Sequence, residues 1–525
     1  MQETPTFLDA ISPRLFTISS GEDFQAALVR GVLAVVDHHA DPFALHDIII
    51  LVPTRRAVRS LSQAFLQVVG PGKATLLPQI LPMGDVDADE PPFIAGHMPA
   101  HIPPAMSPTR RMFALARIVM HRAQVAKKPV SLTSALAEAA AISKLIDTAA
   151  HEGVDDFSLA SEAFATFLAN QPAHIQQAAR FLEIISTYWP QVLQDEGVID
   201  AATRQAKMLE TLSDEWIKVP TSKTVIAAGS TGSQKATAEL LRVISGLPNG
   251  CVVLPGLDQE LDDPAWSHVG KTPGHPQYGI ARLLGKLGRD REAVRLWPQS
   301  KLTRKQARRR RIINEALTPA EITSDWLNRL EKLAGQYSMN VADLMQDGLS
   351  GLSLIEASNE DEEAMVLALA IRQALADPTK TTMLVTPDRL LARRVRAALQ
   401  CWAIEVDDSA GIPLPEDRVG AFLRLVLNWW IDPGDPAALL AMLVHPLCSI
   451  GMDRTDLLVL VRALDKDFLR EVRTHDDLAA LAETMDNADH KLAGKISKLL
   501  LELHEKYFII HNYLEMLIFI QSDLY

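Results

Sequence analysis

The sequence predicts a helix-rich α/β protein built on parallel sheet, with helical insertions dividing the sheet-forming segments. Three observations predict it. The run DIIILV, Asp47 to Val52, is apolar without alternation, as for a strand covered on both faces. The stretch TVIAAGSTGSQKATAELLRVISGLPNGCVVLPGLD reads strand (Val225 to Ala228), helix (Ala236 to Ile244), turn (Leu247 to Gly250) and strand (Cys251 to Leu254), a βαβ unit that implies parallel pairing. A second series of this kind starts after Gly348, where LSLIEAS, TTMLVTPD and AIEVDDSAG alternate with the helical stretches EDEEAMVLALAIRQAL and RLLARRVRAALQCW.

Taken in order, the elements are these. In RLFTISSGEDFQAALVRGVLAVV, Leu15 to Ile18 are strand-like, Ser19-Ser20-Gly21 make a small-residue turn, and Phe24, Leu28, Val32 and Val35 recur at helical spacing. The strand at Asp47 to Val52 is broken by Pro53-Thr54, and a basic helix begins at Arg55. LLPQILPMGDVDADEPPF, with its proline, glycine and acid density, reads as a loop. From Thr109 to Lys218 the pattern is helical and alanine-rich, with Leu132, Leu136, Ala139, Ile142 and Ile146 on one face. After the βαβ unit come a loop, helices and the basic run KLTRKQARRRR, and beyond Gly420 the chain reads as helical. The expected domains are 1–108 (first α/β domain, first part), 109–218 (helical insertion), 219–300 (its second part), 301–350 (basic helical linker), 351–420 (second α/β domain, first part), 421–506 (helical insertion) and 507–525 (atypical tail). That tail holds three of the chain's six tyrosines, Tyr507, Tyr513 and Tyr525, and no alanine, a break in composition that predicts a frameshifted or otherwise altered end, with a native helix as the alternative.

Composition narrows the function classes. At 525 residues the chain exceeds one core, since domains average about 150 residues. Net charge is −13, so nucleic-acid contact needs local basic patches acting against the overall field. Cys251, Cys401 and Cys448 lie far apart with no C-x-x-C spacing, which argues against a zinc site or an iron–sulfur cluster and fits a reducing cytoplasm. The N-terminus has neither the basic nor the apolar region of a signal peptide. No apolar run reaches the roughly 18 residues of a spanning helix, so no membrane partner is expected.

Strand, turn and helix at Leu15 to Val35 is the layout of a phosphate-binding loop, but G-x-x-x-x-G-K-[ST] is missing and the turn runs into Glu22 and Asp23. The order of segments resembles a superfamily 1 helicase. LVPTRRAVRSL, LLPQILPMGDVDADE, VIAAGSTGSQKATAELLRVISGLPNGCVVLPGLD and MLVTPDRLLARRVRAALQCWAIEVDDSAGIPL resemble more specifically the N-terminal half of the AddB family, in its alphaproteobacterial form, over residues 12 to 460. AddB proteins are the double-strand-break repair subunits of AddAB helicase–nucleases. The resemblance implies two helicase-like parallel-sheet domains with degenerate nucleotide motifs. Ser20 and Gly21 stand in the phosphate loop, Gly229 stands where a helicase has its Asp-Glu motif, and Asp258 and Gln259 survive from the motif that reads the γ-phosphate. Thr386 stands where the helicase pattern has an arginine. With the lysine, the metal carboxylate and the arginine gone, little is left to neutralise a transferring phosphoryl group, so no catalytic residue, no metal site and no cofactor are expected in this chain. The family's Mg²⁺-dependent nuclease and its cluster cysteines belong to a half that the resemblance does not cover, and ATP is used by the partner subunit. GMDRTDLL, Gly451 to Leu458, imitates part of the nuclease signature but reads as a capped helix start.

Two basic segments are the candidate DNA contacts. Thr54, Arg55, Arg56 and Arg59 open a helix that in helicases borders the single-stranded DNA channel; the bland alternative is a solvated basic face. KLTRKQARRRR has seven basic residues in eleven, with Arg304, Arg308 and Arg311 on one helical face and Arg309 beside them; an exposed charged helix is again the alternative. Asp407-Asp408 and Asp37 to Asp41 carry metal-ligand residue types but read as solvated acids and a helix end, and Asn359 to Glu363 reads as a helix N-terminus rather than a catalytic group. The expected function is that of a non-motor DNA-handling subunit, partnered by an AddA-type helicase–nuclease and acting on single- and double-stranded DNA ends. An active DNA-stimulated ATPase and a partner-binding scaffold without DNA are the alternatives.

Overall fold

The computed structural model describes residues 6–36, 41, 43–69, 76–84, 102–125, 127–153, 188–432, 434–470, 494, 495, 497, 498 and 501. The chain divides into two units, Met1–Ser353 and Leu354–Tyr525.

The first unit is organised by one six-stranded, all-parallel sheet. Its strands are β1 (Leu15–Ile18), β2 (Ile48–Val52), β3 (Gln79–Pro82), β4 (Thr224–Ala228), β5 (Gly250–Pro255) and β6 (Arg295–Leu296), in the spatial order β3-β2-β4-β5-β1-β6. Every residue of β1 and β2 is buried, which explains why their sequences do not alternate: each face of the sheet has its own core. On one face Phe16, Ile18, Ile48, Ile50 and Val52 meet helices α1 (Phe24–Leu33) and α2 (Arg55–Val69). On the other, Leu15, Ile49, Leu51, Val225 and Val252 meet later helices of the unit. Trp297, just past β6, ties the sheet edge to the first core. Its ring stacks on Phe7 at 5.2 Å, meets Phe16 edge-on at 5.4 Å, and its indole N–H donates to the Ala27 carbonyl at 2.9 Å. Gly31 makes room for it, since a Cβ there would lie 2.3 Å from the ring.

Between β3 and β4 runs a helical block: α3 (Pro108–Val125), α4 (Leu132–Glu152), α5 (Trp189–Asp195) and α6 (Ala201–Lys218). A buried charge network holds it. Arg111 reaches Asp200 at 2.8 Å and Asp147 at 2.7 Å, and the Trp189 indole N–H donates to Asp200 at 2.9 Å. Burial pushes the Asp200 carboxyl up, against the pull of the Arg111 charge. The unit continues with α7 (Lys235–Gly246), α8 (Asp263–Val269), α9 (Tyr278–Leu287), α10 (Arg304–Ala316), α11 (Trp326–Gln336) and α12 (Val341–Gly348). The sheet also contains two short strands, β3 and β6, where the sequence reads as loop and helix.

The second unit departs from expectation. LSLIEAS, TTMLVTPD and AIEVDDSAG form no strand. Two helices from the expected βαβ series are present, α13 (Glu360–Leu375) and α14 (Arg389–Gln400), packed on each other through Ala364, Ala368, Leu391, Val395 and Leu399. Leu384 and Ile404 lie partly buried against them, whereas Leu354, Met383 and Val385 are 88%, 83% and 79% exposed. The physical reason is pairing: an extended segment becomes a strand only when a neighbour takes its backbone N–H and C=O groups. Further on, α15 (Arg418–Ile431), α16 (Pro436–Val444) and α17 (Arg454–Leu464) build a separate small core around Trp429, Leu443 and Leu457. The tail 507–525 lies outside the described residues. Among the described residues, no helix is long and apolar enough to cross a membrane.

Candidate functional site: a crevice at the carboxyl ends of β4, β5 and β1

The sheet order sets β4, β5 and β1 side by side, so the segments leaving their carboxyl ends are neighbours. These segments carry Gly229, then Gly256-Leu257-Asp258, then Ser19-Ser20-Gly21. The chain leaves β1 for α1 on one face of the sheet, while α9, which follows β5, packs on the other. Divergent exits from adjacent parallel strands open a crevice, the usual ligand position in such sheets.

Here the crevice is drawn together by its own backbone. The Gly256 N–H donates to the Ile18 carbonyl at 2.9 Å, and the Ser20 hydroxyl donates to the Gly256 carbonyl at 3.3 Å. Gly256 has φ +62°, and a Cβ there would sit 2.2 Å from the Ser20 hydroxyl, so only glycine fits. The Gly229 N–H donates to Val253 at 2.9 Å.

The chain brings its own anions to the turn. Asp23 caps α1, its carboxylate accepting from the Ala26 N–H at 3.0 Å. A bound phosphate would compete with that carboxylate for the helix N-terminus. Glu22, in the turn, has a side chain only 5% exposed; it accepts from the Lys301 N–H at 2.9 Å and the Ser300 hydroxyl, and pairs with Arg30 at 3.1 Å. Helix α10 completes the closure. Its Arg310 donates to the Ser19 hydroxyl at 2.9 Å and pairs with Glu260 at 2.8 Å, and its Gln306 donates to the Gly21 carbonyl at 3.1 Å. The two polar residues read as motif survivors also have internal partners. Asp258 accepts from the Glu260 and Leu261 N–H groups at 2.9 and 3.0 Å, and the Gln259 amide donates to the Val294 carbonyl at 2.5 Å. Thr386 belongs to the second unit, where its hydroxyl accepts from the Asp388 N–H at 3.0 Å.

The basic candidates divide. Thr54 caps α2, its hydroxyl accepting from Ala57 N–H at 3.2 Å. Arg59 and Arg56 are exposed and Arg55 is half-buried, at the start of the helix that leaves the carboxyl end of β2. In α10 a Thr303–Gln306 capping box starts the helix, and most of the arginines turn inward. Arg308 pairs with Asp347 at 2.6 Å and lies over the Tyr337 ring, Arg309 donates to the Gly348 carbonyl at 2.8 Å, and Arg311 donates to Gln336 at 3.1 Å. Arg304 and Lys305 remain exposed. Arg310 and Gln306, which hold the turn after β1, are not singled out by the sequence, because a run of four arginines does not reveal which of them faces the sheet.

The acid-rich motifs resolve structurally. Asp408 is gripped by both terminal nitrogens of Arg389, at 3.0 and 2.9 Å, which holds its carboxyl at about 2. Asn359 caps α13 through the Asp361 and Glu362 N–H groups, and Asp453 caps α17 through Thr455. Asp37 to Ala40 lie outside the described residues. Among the described residues no group of three His, Cys, Asp or Glu side chains is placed to hold a metal. No family model matches this chain, and no curated protein matches it.

Proposed function

We propose that this chain is a helicase-like, non-motor subunit that handles DNA ends in double-strand-break repair by homologous recombination, as the AddB family does beside an AddA-type helicase–nuclease. One observation carries the reading. Three positions singled out by resemblance, Ser20-Gly21, Gly229 and Asp258, are far apart in sequence and sit together at the carboxyl ends of three adjacent parallel strands. That is where a helicase would hold its nucleotide, and here the position is filled by Glu22, Asp23, Arg310 and Gln306. On this reading the chain contributes binding rather than nucleotide turnover, with the basic start of α2 as its first DNA contact. A second reading, a scaffold that binds its partner and no DNA, is favoured by the inward-turned arginines of α10.

The test is fluorescence anisotropy with labelled single-stranded and tailed duplex DNA, run beside an ATP-turnover assay. DNA binding without turnover, weakened by Arg59→Gln, supports the main reading. Turnover abolished by Gly21→Val makes the chain an active ATPase instead. Absence of DNA binding together with co-elution with a purified AddA-type subunit selects the scaffold.

A further inference from the structure

Residues 91–137 contain six lysines and arginines and no aspartate or glutamate, in a chain whose net charge is −13. Helix α3 lies at the centre of this stretch. Its inner side is anchored by Arg111 in the buried network with Asp147 and Asp200. Its outer side carries Arg110, Phe113, Arg117, His121 and Gln124, a row at three- and four-residue spacing, all exposed. The row runs about 21 Å along the helix axis at ~1.5 Å per residue. At its end the chain turns back through Lys127, at φ 54°, into Lys128, and both side chains are exposed. Arg110 pairs with Glu196 at 3.0 Å. The side chains of Arg117, Lys127 and Lys128 have no ion-pair or hydrogen-bond partner among the described residues.

Phe113 distinguishes this face from a merely solvated basic one. Its ring is 50% exposed between Arg110 and Arg117. The only other large apolar side chain exposed on α3 is Val125, its last residue. A protein partner would be expected to meet an apolar row, and there is none. A lone aromatic face beside Arg117, with Lys127 and Lys128 at the end of the row, matches a polyanion that also carries flat rings. We propose that the outer face of α3 binds single-stranded DNA, with Phe113 stacking on a base and Arg117, Lys127 and Lys128 contacting phosphates. The proposal rests on the DNA-handling reading above and adds a second contact surface to it.

The experiment titrates the full chain with labelled oligo-dT at several salt concentrations. Four proteins are compared with wild type: Phe113→Ala, Phe113→Tyr, the triple variant Arg117→Gln/Lys127→Gln/Lys128→Gln, and Arg59→Gln on α2. All these side chains are exposed, and circular dichroism checks that each variant folds. Phe113→Ala should weaken binding roughly 5- to 100-fold with the salt slope unchanged, and Phe113→Tyr should retain it. The triple variant should flatten the log K versus log[salt] slope by about 2. If wild type binds and Phe113→Ala and the triple variant bind equally well, the α3 surface is refuted while the DNA-handling reading stands, the more so if Arg59→Gln alone weakens binding. If wild type does not bind oligo-dT, both fall. Equal affinity for polyglutamate, or for blunt duplex, removes the stacking role and overturns the proposal.

Discussion

Two aliphatic runs of similar composition have opposite fates in this molecule. Ile48–Val52 is buried at every residue and lies in the sheet of the first unit. Met383-Leu384-Val385, in the second unit, turns one side chain toward α13 and α14 and leaves the other two exposed. The difference lies in the neighbours. Strands β1 and β2 are consecutive in sequence, yet β5 and β4 stand between them in the sheet, each supplying a parallel ladder such as Leu15↔Val252 and Ile49↔Val225. Without those two later strands, β1 and β2 would each lose one of their two ladders and keep only the outer ones, to β6 and β3. An apolar run therefore becomes a strand only where the fold supplies a neighbour to pair with it, as β4 and β5 do for each other and for β2 and β1.

The largest expected contrast is in hydrogen exchange. The amides of Ile49 to Val52 should exchange slower by several orders of magnitude than those of Thr382 to Val385, because only the former are tied into a buried ladder. Protection of 382–385 in the isolated chain, read by mass spectrometry, would break the comparison. Next comes Trp297→Ala, which removes the ring joining the sheet edge to α1 and should cost about 3–5 kcal/mol in urea denaturation. The matched change in the second unit, Val385→Ala, should stay within about 0.5 kcal/mol. Gly256→Ala should cost about 1–3 kcal/mol, from the positive φ and the contact with Ser20; a neutral result would mean that the crevice is looser than its hydrogen bonds imply. The smallest effect is expected for Val385→Lys, which should leave the melting temperature unchanged and reduce self-association seen by light scattering, since a lysine on an unpaired extended edge opposes edge-to-edge pairing.

What could be read from the sequence follows the same division. Strands β1, β2, β4 and β5 were legible because fully buried parallel strands are continuous apolar runs, and the helices of the inserted block were legible from the spacing of Ala139, Ile142 and Ile146. Strand β3 was not, because Gln79–Pro82 is short, half-buried and ends in proline at the sheet edge. Two-residue β6 carries no periodicity at all, and its existence depends on Phe16 and Thr17 across the ladder. At the site, the residue types at each strand end could be read, but their closure could not. The Arg310–Ser19 and Gln306–Gly21 contacts join residues almost three hundred positions apart, and only tertiary structure determines which arginine of the run turns inward.

The closure of the first turn also bears on reversibility. On the helicase-like reading, regaining a phosphate-binding lysine is not a one-step change. A lysine in place of Glu22 would have its ammonium buried against Arg30 and would forfeit the bonds from Ser300 and Lys301, while Asp23 and Gln306 would still occupy the helix start and the turn carbonyl. Each such single change would be destabilising before any benefit arose, so the present contacts of the turn act as a ratchet.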